Sequence, residues 1–308
     1  MARKARISAI KFGGSREQTN HVAASVGEAC ALIDQAALDE PDLIALPECF
    51  SFLGWDNHKM VDSAEPLDGP TVTAIAAKAR EHHAYIVCPI VLAKDGKFYN
   101  ASILLDRRGE VMGAYYKMFP TTYELDEGIT PGEKAWVAHT DFGKVGLAIC
   151  FDLNFRPVAE SIAEQGAELV VFSSMYRGGI SARIWAYDFG WYFVSSTPSE
   201  MSHFCDPFGR VLGDLWDYQP VMTREINLDF QILHIDTNSQ QWEAIRRKYG
   251  RGVSLDIVGP EGVFMLTSES PEVSAMDIVR EFGMETRRDY FARATRRRNE
   301  ALALGSRV

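Results

Sequence analysis

The chain has 308 residues, of which 46% are hydrophobic and 24% are charged, and these values are ordinary for a soluble globular protein. Its formal net charge of −10 would repel nucleic acids and anionic membranes, so we expect small molecules as binding partners. No apolar run approaches the ~20 residues needed to span a bilayer, and the basic start lacks the apolar stretch of a secretory signal. We therefore expect a cytoplasmic protein that binds neither nucleic acid nor membrane.

Five cysteines are scattered along the chain, at Cys30, Cys49, Cys88, Cys150 and Cys205. Their odd number and the lack of any C-x-x-C pair argue against a disulfide framework and against a structural zinc site. We expect reduced thiols, no metal ion and no cofactor.

The first half of the chain alternates strand-like and helix-like patterns. The expected strands are 5–12, 42–48, 85–92, 98–106 and 111–117, and the expected helices are 19–38 and 70–83. Residues 121–133 follow as a polar, acidic loop.

From residue 145 the same order of strands and helices recurs. The expected strands are 145–149, 168–174 and 191–197, the helices are 157–165 and 181–190, and a hairpin turns at 206–210. Two such sheets, each with one apolar face and one layer of helices, would bury those faces against each other. We predict an α/β fold built as a four-layer α-β-β-α sandwich of two sheets.

The C-terminal part of the chain is less informative. It predicts a strand at 223–229, a helix at 239–249, a hairpin at 253–267 and a helix at 285–304. The last helix carries Arg287, Arg288, Arg293, Arg296, Arg297 and Arg298. These arginines indicate either a solvated helix face or a docking surface for an acidic neighbouring subunit. We predict one domain over residues 1–270 and a C-terminal extension over 271–308 that serves oligomerisation.

An apolar run at residues 145–149 stops at Cys150, which polar residues and a proline follow. We interpret the run as a buried strand whose end places Cys150 at the opening of a pocket, with Asp152 or Asn154 capping the next helix. The helix N-terminus would favour a thiolate, and backbone N–H groups there could receive an oxyanion. Because a lone buried cysteine is commonly inert, other residues must decide its role.

Two further ionisable residues, Glu48 and Lys117, also stand at the ends of predicted strands. Taken alone, Glu48 would be a solvated loop acid. The loop beyond it is rich in aromatic residues and would either wall a pocket or cover the core. Its apolar residues are Phe50, Phe52, Leu53 and Trp55.

A glutamate, a lysine 69 residues later and a cysteine 33 residues after that together resemble the nitrilase superfamily of carbon-nitrogen hydrolases. The matching segments are LPE at 46–48, YYK at 115–117 and GLAICFD at 146–152. Weaker similarity continues through TPGE at 130–133, DFGK at 141–144, EQGA at 164–167 and DPFG at 206–209. The resemblance spans roughly residues 5–230 and implies the same four-layer sandwich.

The resemblance also implies a mechanism. Cys150 would attack the substrate and form a thioester, and Glu48 would take the thiol proton, return it to the departing amine and later activate water. Lys117 and the backbone N–H of Phe151 would stabilise the tetrahedral oxyanion. Family members often carry a second glutamate after the lysine, for which Glu124 is our choice and Glu127 the competitor. As substrate-binding residues we expect Phe151, Trp55 and Tyr176.

Departures from the family pattern narrow the substrate. The N-carbamoyl-D-amino acid hydrolases usually place paired arginines where this chain has Leu153 and Asn154. True nitrilases typically have Cys-Trp-Glu where this chain has Cys150, Phe151 and Asp152, and FRPV at 155–158 replaces a common Phe-Pro-Glu. We expect cleavage of a non-peptide C–N bond in a small amide or N-carbamoyl compound, with release of ammonia or an amine, by a homodimer or larger homo-oligomer.

Three alternatives are retained. One is a nitrilase that acts on a small nitrile. Another is a catalytically silent binding or scaffold protein of the same fold. A papain-like hydrolase would need an imidazole beside Cys150, for which His139 and His203 are the candidates.

Overall fold

The structure is a computed structural model that describes residues 2–198, 202–214 and 218–305. The chain forms two compact units, one of residues 5–226 and one of residues 1–4 together with 227–308. The sequence-based boundary at residue 270 falls inside the smaller unit, and the division into domains stays a prediction. Among the described helices, none combines the length and the apolar character that crossing a lipid bilayer requires.

The larger unit contains most of the strands and helices. In chain order its elements are β1 (Lys4–Ile10), α1 (His21–Ala37), β2 (Leu43–Ala45), α2 (Pro70–His82), β3 (Tyr85–Lys94), β4 (Lys97–Leu105), β5 (Val111–Tyr116), α3 (Thr122–Asp126), β6 (Val137–His139), β7 (Lys144–Ile149), α4 (Arg156–Glu164), β8 (Leu169–Ser173), α5 (Gly179–Phe189), β9 (Tyr192–Ser196), β10 (His203–Cys205), β11 (Val211–Asp214) and β12 (Val221–Asn227).

These strands form two six-stranded sheets, with the orders β12-β1-β2-β3-β4-β5 and β11-β10-β9-β8-β7-β6. In the first sheet β1, β2 and β3 pair in parallel, and β4 and β5 extend the sheet as antiparallel strands. In the second sheet β7, β8 and β9 pair in parallel, and β10 and β11 are antiparallel. The two halves therefore share the β-α-β-α-β-β plan predicted from the sequence.

Each sheet has one face covered by helices. On the first sheet, Ile75 of α2 packs in an apolar cluster with Ile86 of β3. On the second sheet, Ala186 of α5 packs in a cluster with Phe172 of β8. Residues of the opposite face, such as Leu147 of β7, are also fully buried, because that face turns toward the other sheet. The predicted α-β-β-α sandwich is confirmed.

Two serine hydroxyls link the sheets where the parallel strands end. Ser173 at the end of β8 donates a hydrogen bond to the carbonyl oxygen of Leu46 at 2.8 Å. Ser196 at the end of β9 donates to the carbonyl oxygen of Ile10, the last residue of β1, at 2.6 Å. The carboxyl ends of the parallel strands of both sheets thus meet at one edge.

The smaller unit has an antiparallel sheet of order β13-β15-β14. Its elements are β13 (Phe230–His234), α6 (Trp242–Tyr249), β14 (Val253–Val258), β15 (Val263–Ser268), α7 (Ala275–Glu281) and α8 (Arg287–Gly305). The hairpin and the two helices predicted here are confirmed to within a few residues. The sequence patterns did not predict β13 or α7, although Ser274 and Asp277 form a capping box at the start of α7.

Candidate active site

Glu48, Lys117 and Cys150 come together inside the larger unit, at the edge where the parallel strands end. Glu48 follows β2, Lys117 directly follows β5 and Cys150 directly follows β7. The Nζ atom of Lys117 lies 2.9 Å from Oε1 of Glu48, and, besides burial, the charge of the same carboxylate acts on the thiol of Cys150 and raises its pKa. Their exposed fractions are 2%, 1% and 9%, so the three groups form one buried cluster.

Glu124 is the fourth charged or reactive member of the cluster. Helix α3 begins with a capping box, in which the Thr121 hydroxyl accepts from the Glu124 N–H and Oε2 of Glu124 accepts from the Thr121 N–H. The same Oε2 lies 2.8 Å from Nζ of Lys117. The prediction of a loop without a helix was wrong here, and the T-x-x-E pattern at 121–124 is the signal that would have revealed α3.

Glu127, the competing candidate, points elsewhere. Its Oε2 accepts a hydrogen bond from the backbone N–H of Met60 at 2.9 Å, and its carboxylate hydrogen bonds to the phenol of Tyr123. Of the two glutamates, Glu124 is therefore the one that the structure places against Lys117.

Asn100 lies between the two glutamates, and no sequence motif pointed to it. Its side-chain Nδ2 donates to Oε1 of Glu48 and to Oε1 of Glu124, both at 2.7 Å. Its backbone carbonyl accepts the N–H of Lys117 at 2.9 Å. In the sequence Asn100 is one of several polar residues in strand β4, together with Lys97 and Ser102, and that signal is weak because outward-facing strand residues are commonly polar.

The charges of the cluster support one another. Burial opposes a charge on Lys117, yet the neighbouring carboxylates of Glu48 and Glu124 raise the pKa of its ammonium. Burial would likewise favour a neutral Glu124, but Lys117, then Asn100, lowers the pKa of that carboxyl group. Lys117 and Glu124 are therefore both charged at neutral pH.

Cys150 is a neutral thiol at neutral pH. Burial and then the charge of Glu48 raise its pKa to about 12. The expectation of a thiolate at a helix N-terminus was wrong, because burial and the charge of Glu48 favour the neutral thiol. A 3-10 turn over Cys150–Asn154 also separates the cysteine from α4. Phe155, and neither Asp152 nor Asn154, occupies the N-cap position of α4.

A neutral thiol must lose its proton before it attacks a carbonyl carbon. After Glu48, the groups with the largest effects on the Cys150 thiol are Lys117 and the backbone N–H of Met175, and none of the three is an imidazole. These neighbours do not favour a papain-like cysteine-histidine pair, and the role of Glu48 as the proton acceptor stays a prediction.

The backbone at Cys150 is strained. Its φ angle of 44° lies in the left-handed region, which residues other than glycine seldom adopt. The phenol of Tyr176 donates a hydrogen bond to the Cys150 carbonyl oxygen at 3.4 Å. Such strain persists where the surrounding structure fixes it, and it often accompanies reactive groups.

Asp152 joins the turn of the nucleophile to the segment that carries the lysine. Its side chain is fully buried, and Oδ2 accepts from the N–H of Ile149 at 2.9 Å and from the hydroxyl of Tyr115 at 2.8 Å. Its Oδ1 accepts from the N–H of Phe119 at 2.9 Å. Since Tyr115 and Phe119 stand on either side of Lys117, one carboxylate fixes the lysine segment relative to the end of β7.

The three residues expected to contact substrate occupy different surroundings. Tyr176 reaches the turn at Cys150, as described above, and Phe151 is half-buried directly after the nucleophile. Trp55 stacks on the ring of His58, with ring centroids 3.7 Å apart, within the aromatic loop. Contact of these side chains with substrate stays a prediction.

One group of acidic and histidine side chains among the described residues is close enough to hold a metal ion. Asp34, Glu81 and His82 offer ligand atoms within 4.8 Å of one another. However, Nζ of Lys78 lies 2.7 Å from Asp34 and 2.9 Å from Glu81, so an ammonium group already neutralises these carboxylates.

Comparison with known proteins identifies the family. The sequence model of the carbon-nitrogen hydrolases matches residues 14–230. This chain belongs to the carbon-nitrogen hydrolase family. The resemblance to the nitrilase superfamily that was inferred from the sequence is thereby confirmed, and amide C–N hydrolysis is the supported general chemistry.

Two relatives of this carbon-nitrogen hydrolase illustrate the range of similarity. The Drosophila melanogaster nitrilase and fragile histidine triad fusion protein NitFhit is 28% identical over 255 residues, which cover 73% of this chain and 55% of that protein. This chain thus spans about half the length of the fusion protein. The Xenopus laevis omega-amidase NIT2-B is 24% identical over 253 residues, which cover 74% of this chain and 90% of the relative.

Among solved structures, the fold is similar to that of an amidase of the nitrilase superfamily from Nesterenkonia AN1. The TM-score is 0.64 at 18% sequence identity, and the match covers 80% of this chain and 97% of that chain. In a glutamate-to-glutamine variant of that amidase, the acetamide moiety of fluoroacetamide is added covalently to the active-site cysteine.

Replacing Asp152 by asparagine tests whether the raised pKa of this buried residue makes the stability of the protein depend on pH. Burial raises the pKa of Asp152 to about 6, and an unfolded aspartate titrates near ~4. Because the folded state binds this proton more tightly, the associated stabilisation is complete below pH ~4 and is lost as pH rises to about 6. We expect the free energy of unfolding of the wild type, relative to Asp152→Asn, to fall by about 2–3 kcal/mol across this window.

Urea unfolding of both proteins at several pH values measures this difference. The exposed aspartate of α3 provides a control, since Asp126→Asn should show no comparable pH dependence. A wild-type advantage that stays constant between pH 4 and pH 7 would contradict the linkage of the Asp152 proton to folding.

Proposed function

We propose that this chain hydrolyses the C–N bond of a small amide or N-carbamoyl compound through a thioester on Cys150. The observation that carries the proposal is the buried carboxylate of Glu48, which contacts the thiol of Cys150 and the ammonium of Lys117. The omega-amidase among the relatives and the covalent reaction of the active-site cysteine of the Nesterenkonia amidase with fluoroacetamide support a nucleophilic cysteine and amide chemistry for this chain.

In the first half-reaction Glu48 takes the thiol proton, and the sulfur of Cys150 attacks the carbonyl carbon. The C=O π electrons move to oxygen, where Lys117 and the backbone N–H of Phe151 stabilise the negative charge. When the tetrahedral intermediate collapses, the C–N bond breaks and Glu48 returns its proton to the nitrogen. Ammonia or an amine leaves, and the acyl group stays on sulfur.

In the second half-reaction Glu48 takes a proton from water, which attacks the thioester carbon. The carbon–sulfur bond then breaks, the carboxylic or carbamic acid leaves, and the proton returns to Cys150. Lys117 keeps its charge throughout, because its carboxylate neighbours raise its pKa. It therefore acts by electrostatic stabilisation and not by proton transfer.

Glu124 is the second glutamate of the site in this proposal. Its Oε1 and Oε2 lie 3.0 and 2.8 Å from Nζ of Lys117. Glu124 follows Lys117 in the sequence, whereas Glu48 precedes it. With two carboxylates bonded to one ammonium, the position of Nζ is fixed before substrate arrives. Such preorganised charge is the usual source of oxyanion stabilisation.

Ammonia release from matched amides, carbamoyl compounds and nitriles tests the substrate class. We expect a higher kcat/KM for an amide than for the nitrile with the same carbon skeleton. The preference follows from the resemblance, since Asp152 stands where nitrilases have glutamate. The same assay on Cys150→Ala measures background activity, and a higher kcat/KM for the nitrile would make the chain a nitrilase.

Substitution of the three central residues tests the mechanism. Cys150→Ala should abolish turnover with the fold intact, and Lys117→Ala and Glu48→Gln should each lose activity by at least ~10²-fold. Glu48→Gln should also be slow to form the acyl-enzyme, which intact mass spectrometry detects. As a matched control, the buried Cys88→Ala should keep most of the activity.

Substantial turnover by Cys150→Ala would refute the thioester mechanism. A wild-type protein that released no ammonia from any compound of the panel would instead favour the silent binding or scaffold protein of the same fold. Full acyl loading of Glu48→Gln would restrict Glu48 to the hydrolysis of the thioester.

We further propose a homodimer or larger assembly in which α8 contacts a second copy of the acidic chain. Arg293 pairs with Glu285 at 2.7 Å, but Arg296 and Arg297 are exposed, as is half of Phe291. These basic and apolar side chains would complement an acidic surface.

Charge reversal on α8 tests this contact. The double variant of Arg296→Glu and Arg297→Glu should weaken association, which light scattering measures at micromolar concentration. The exposed arginines of α6 provide a charge-matched control, in which Arg246→Glu and Arg247→Glu should leave the mass unchanged. A monomeric wild-type protein would contradict the proposed assembly.

A further inference from the structure

We propose that Asn100 is a positioning residue that selects Oε2 of Glu48 as the oxygen that takes the proton of Cys150. The inference rests on the proposed function of the same site. It assigns a role to a residue that touches neither the substrate nor the sulfur, and that acts through both glutamates.

The side-chain amide of Asn100 has two N–H groups, and each has its own carboxylate. Nδ2 lies 2.7 Å from Oε1 of Glu48 and 2.7 Å from Oε1 of Glu124. The opposite orientation of the amide would set its oxygen against two carboxylate oxygens, so the neighbours themselves fix the nitrogen at this position. Asn100 is 1% exposed, so water does not compete for these bonds.

The two oxygens of Glu48 differ as a result. Oε1 accepts from Nδ2 of Asn100 and from Nζ of Lys117, at 2.7 and 2.9 Å. Oε2 accepts from the backbone N–H of Met175 at 3.1 Å, and the same N–H partly offsets the rise that burial causes in the pKa of the Cys150 thiol. Thus Oε1 accepts from two strong donors, whereas Oε2 accepts from one backbone N–H, which also acts on the Cys150 thiol, and Oε2 keeps capacity to accept a proton.

Asn100 also stabilises the ionised form of the two carboxylates. Two carboxylates and one ammonium leave a net negative charge in a buried place, which is unfavourable without further hydrogen-bond donors. Asn100 supplies two donors and adds no charge. If they were removed, the protonated form of the carboxylates would gain relative to the ionised form, and a protonated Glu48 cannot take the thiol proton.

The titratable groups around the cluster come from several elements, and each influences the same protons. They are Glu48 and Cys49 after β2, Lys117 after β5, Glu124 in α3, Cys150 after β7 and Tyr176 after β8. Asn100 in β4 is the neutral donor that bridges the two carboxylates of this set.

The remaining polar atom of Asn100 shows what the amide contributes. Its Oδ1 is buried and makes no hydrogen bond with the described residues. An unpaired buried carbonyl is unfavourable, and an apolar residue in β4 would avoid it. The contribution of the amide to this site is therefore its pair of N–H donors, both of which are directed at the catalytic carboxylates.

The test follows the pH dependence of two rates in Asn100→Ala and Asn100→Ser. One rate is amide turnover, and the other is alkylation of Cys150 by iodoacetamide, followed by mass spectrometry of the peptide that contains Cys150. Because both rates need an ionised Glu48, we expect the acid limb of each profile to move up by about one pH unit in Asn100→Ala. Serine has one hydroxyl donor, so Asn100→Ser should give a smaller shift.

Ser102→Ala is the matched control. Ser102 lies on the same strand, is 1% exposed and has an unpaired hydroxyl, so its loss should leave both profiles in place. Below the shifted limb, the turnover of Asn100→Ala should fall by about 10-fold and should recover toward the wild-type value as pH rises. A merely structural role would lower the rate equally at every pH.

The alkylation profile separates this inference from the proposed function. If the wild type hydrolyses no amide, the proposed function fails, but the alkylation rates still report whether Asn100 controls the proton of Cys150. Profiles of Asn100→Ala or Asn100→Ser that superimpose on the wild-type profile, in proteins with native circular dichroism, would overturn the inference. If Asn100→Ala does not fold, the shift in Asn100→Ser decides.

Discussion

The site depends on one buried ammonium group held between two carboxylates. Removing Lys117 from water costs several kcal/mol, and that cost is offset only where partners satisfy its charge and its N–H groups. Glu48 at 2.9 Å and Glu124 at 2.8 Å meet this requirement from two separate segments of the chain. The ends of β2 and β5 and the first turn of α3 must therefore keep fixed positions, and the capping box at Thr121 holds the last of them.

Much of this arrangement could be predicted from the sequence, because the decisive residues stand at strand ends. Glu48 and Cys150 follow strands of different sheets, and it was the resemblance to the nitrilase superfamily that implied one site for both. Glu124 was assigned from the family resemblance. Asn100 could not be found in this way, since its contacts come from residues distant in the sequence and a polar residue in a strand most often faces water.

The state of the thiol shows why a local pattern can mislead. A cysteine between a strand and a helix suggested stabilisation of the thiolate by the helix N-terminus. In the folded protein, burial and the negative charge of Glu48 act in the opposite direction and favour the neutral thiol. Asp152, expected as a helix cap, instead holds the end of β7 to the lysine segment. Its hydrogen bonds to the N–H groups of Ile149 and Phe119 show that this position sets spacing within the site.

The hydroxyl of Ser173, which bonds to the carbonyl of Leu46, has a consequence for how the two sheets can move. Leu46 is two residues before Glu48 and Ser173 is two residues before Met175, whose N–H bonds to Oε2 of Glu48. These two hydrogen bonds connect the sheets at neighbouring positions and resist sliding of one sheet over the other. Altered packing of the outer helices can therefore shift whole layers without changing the distance between the sheets at Glu48, as long as these two hydrogen bonds persist.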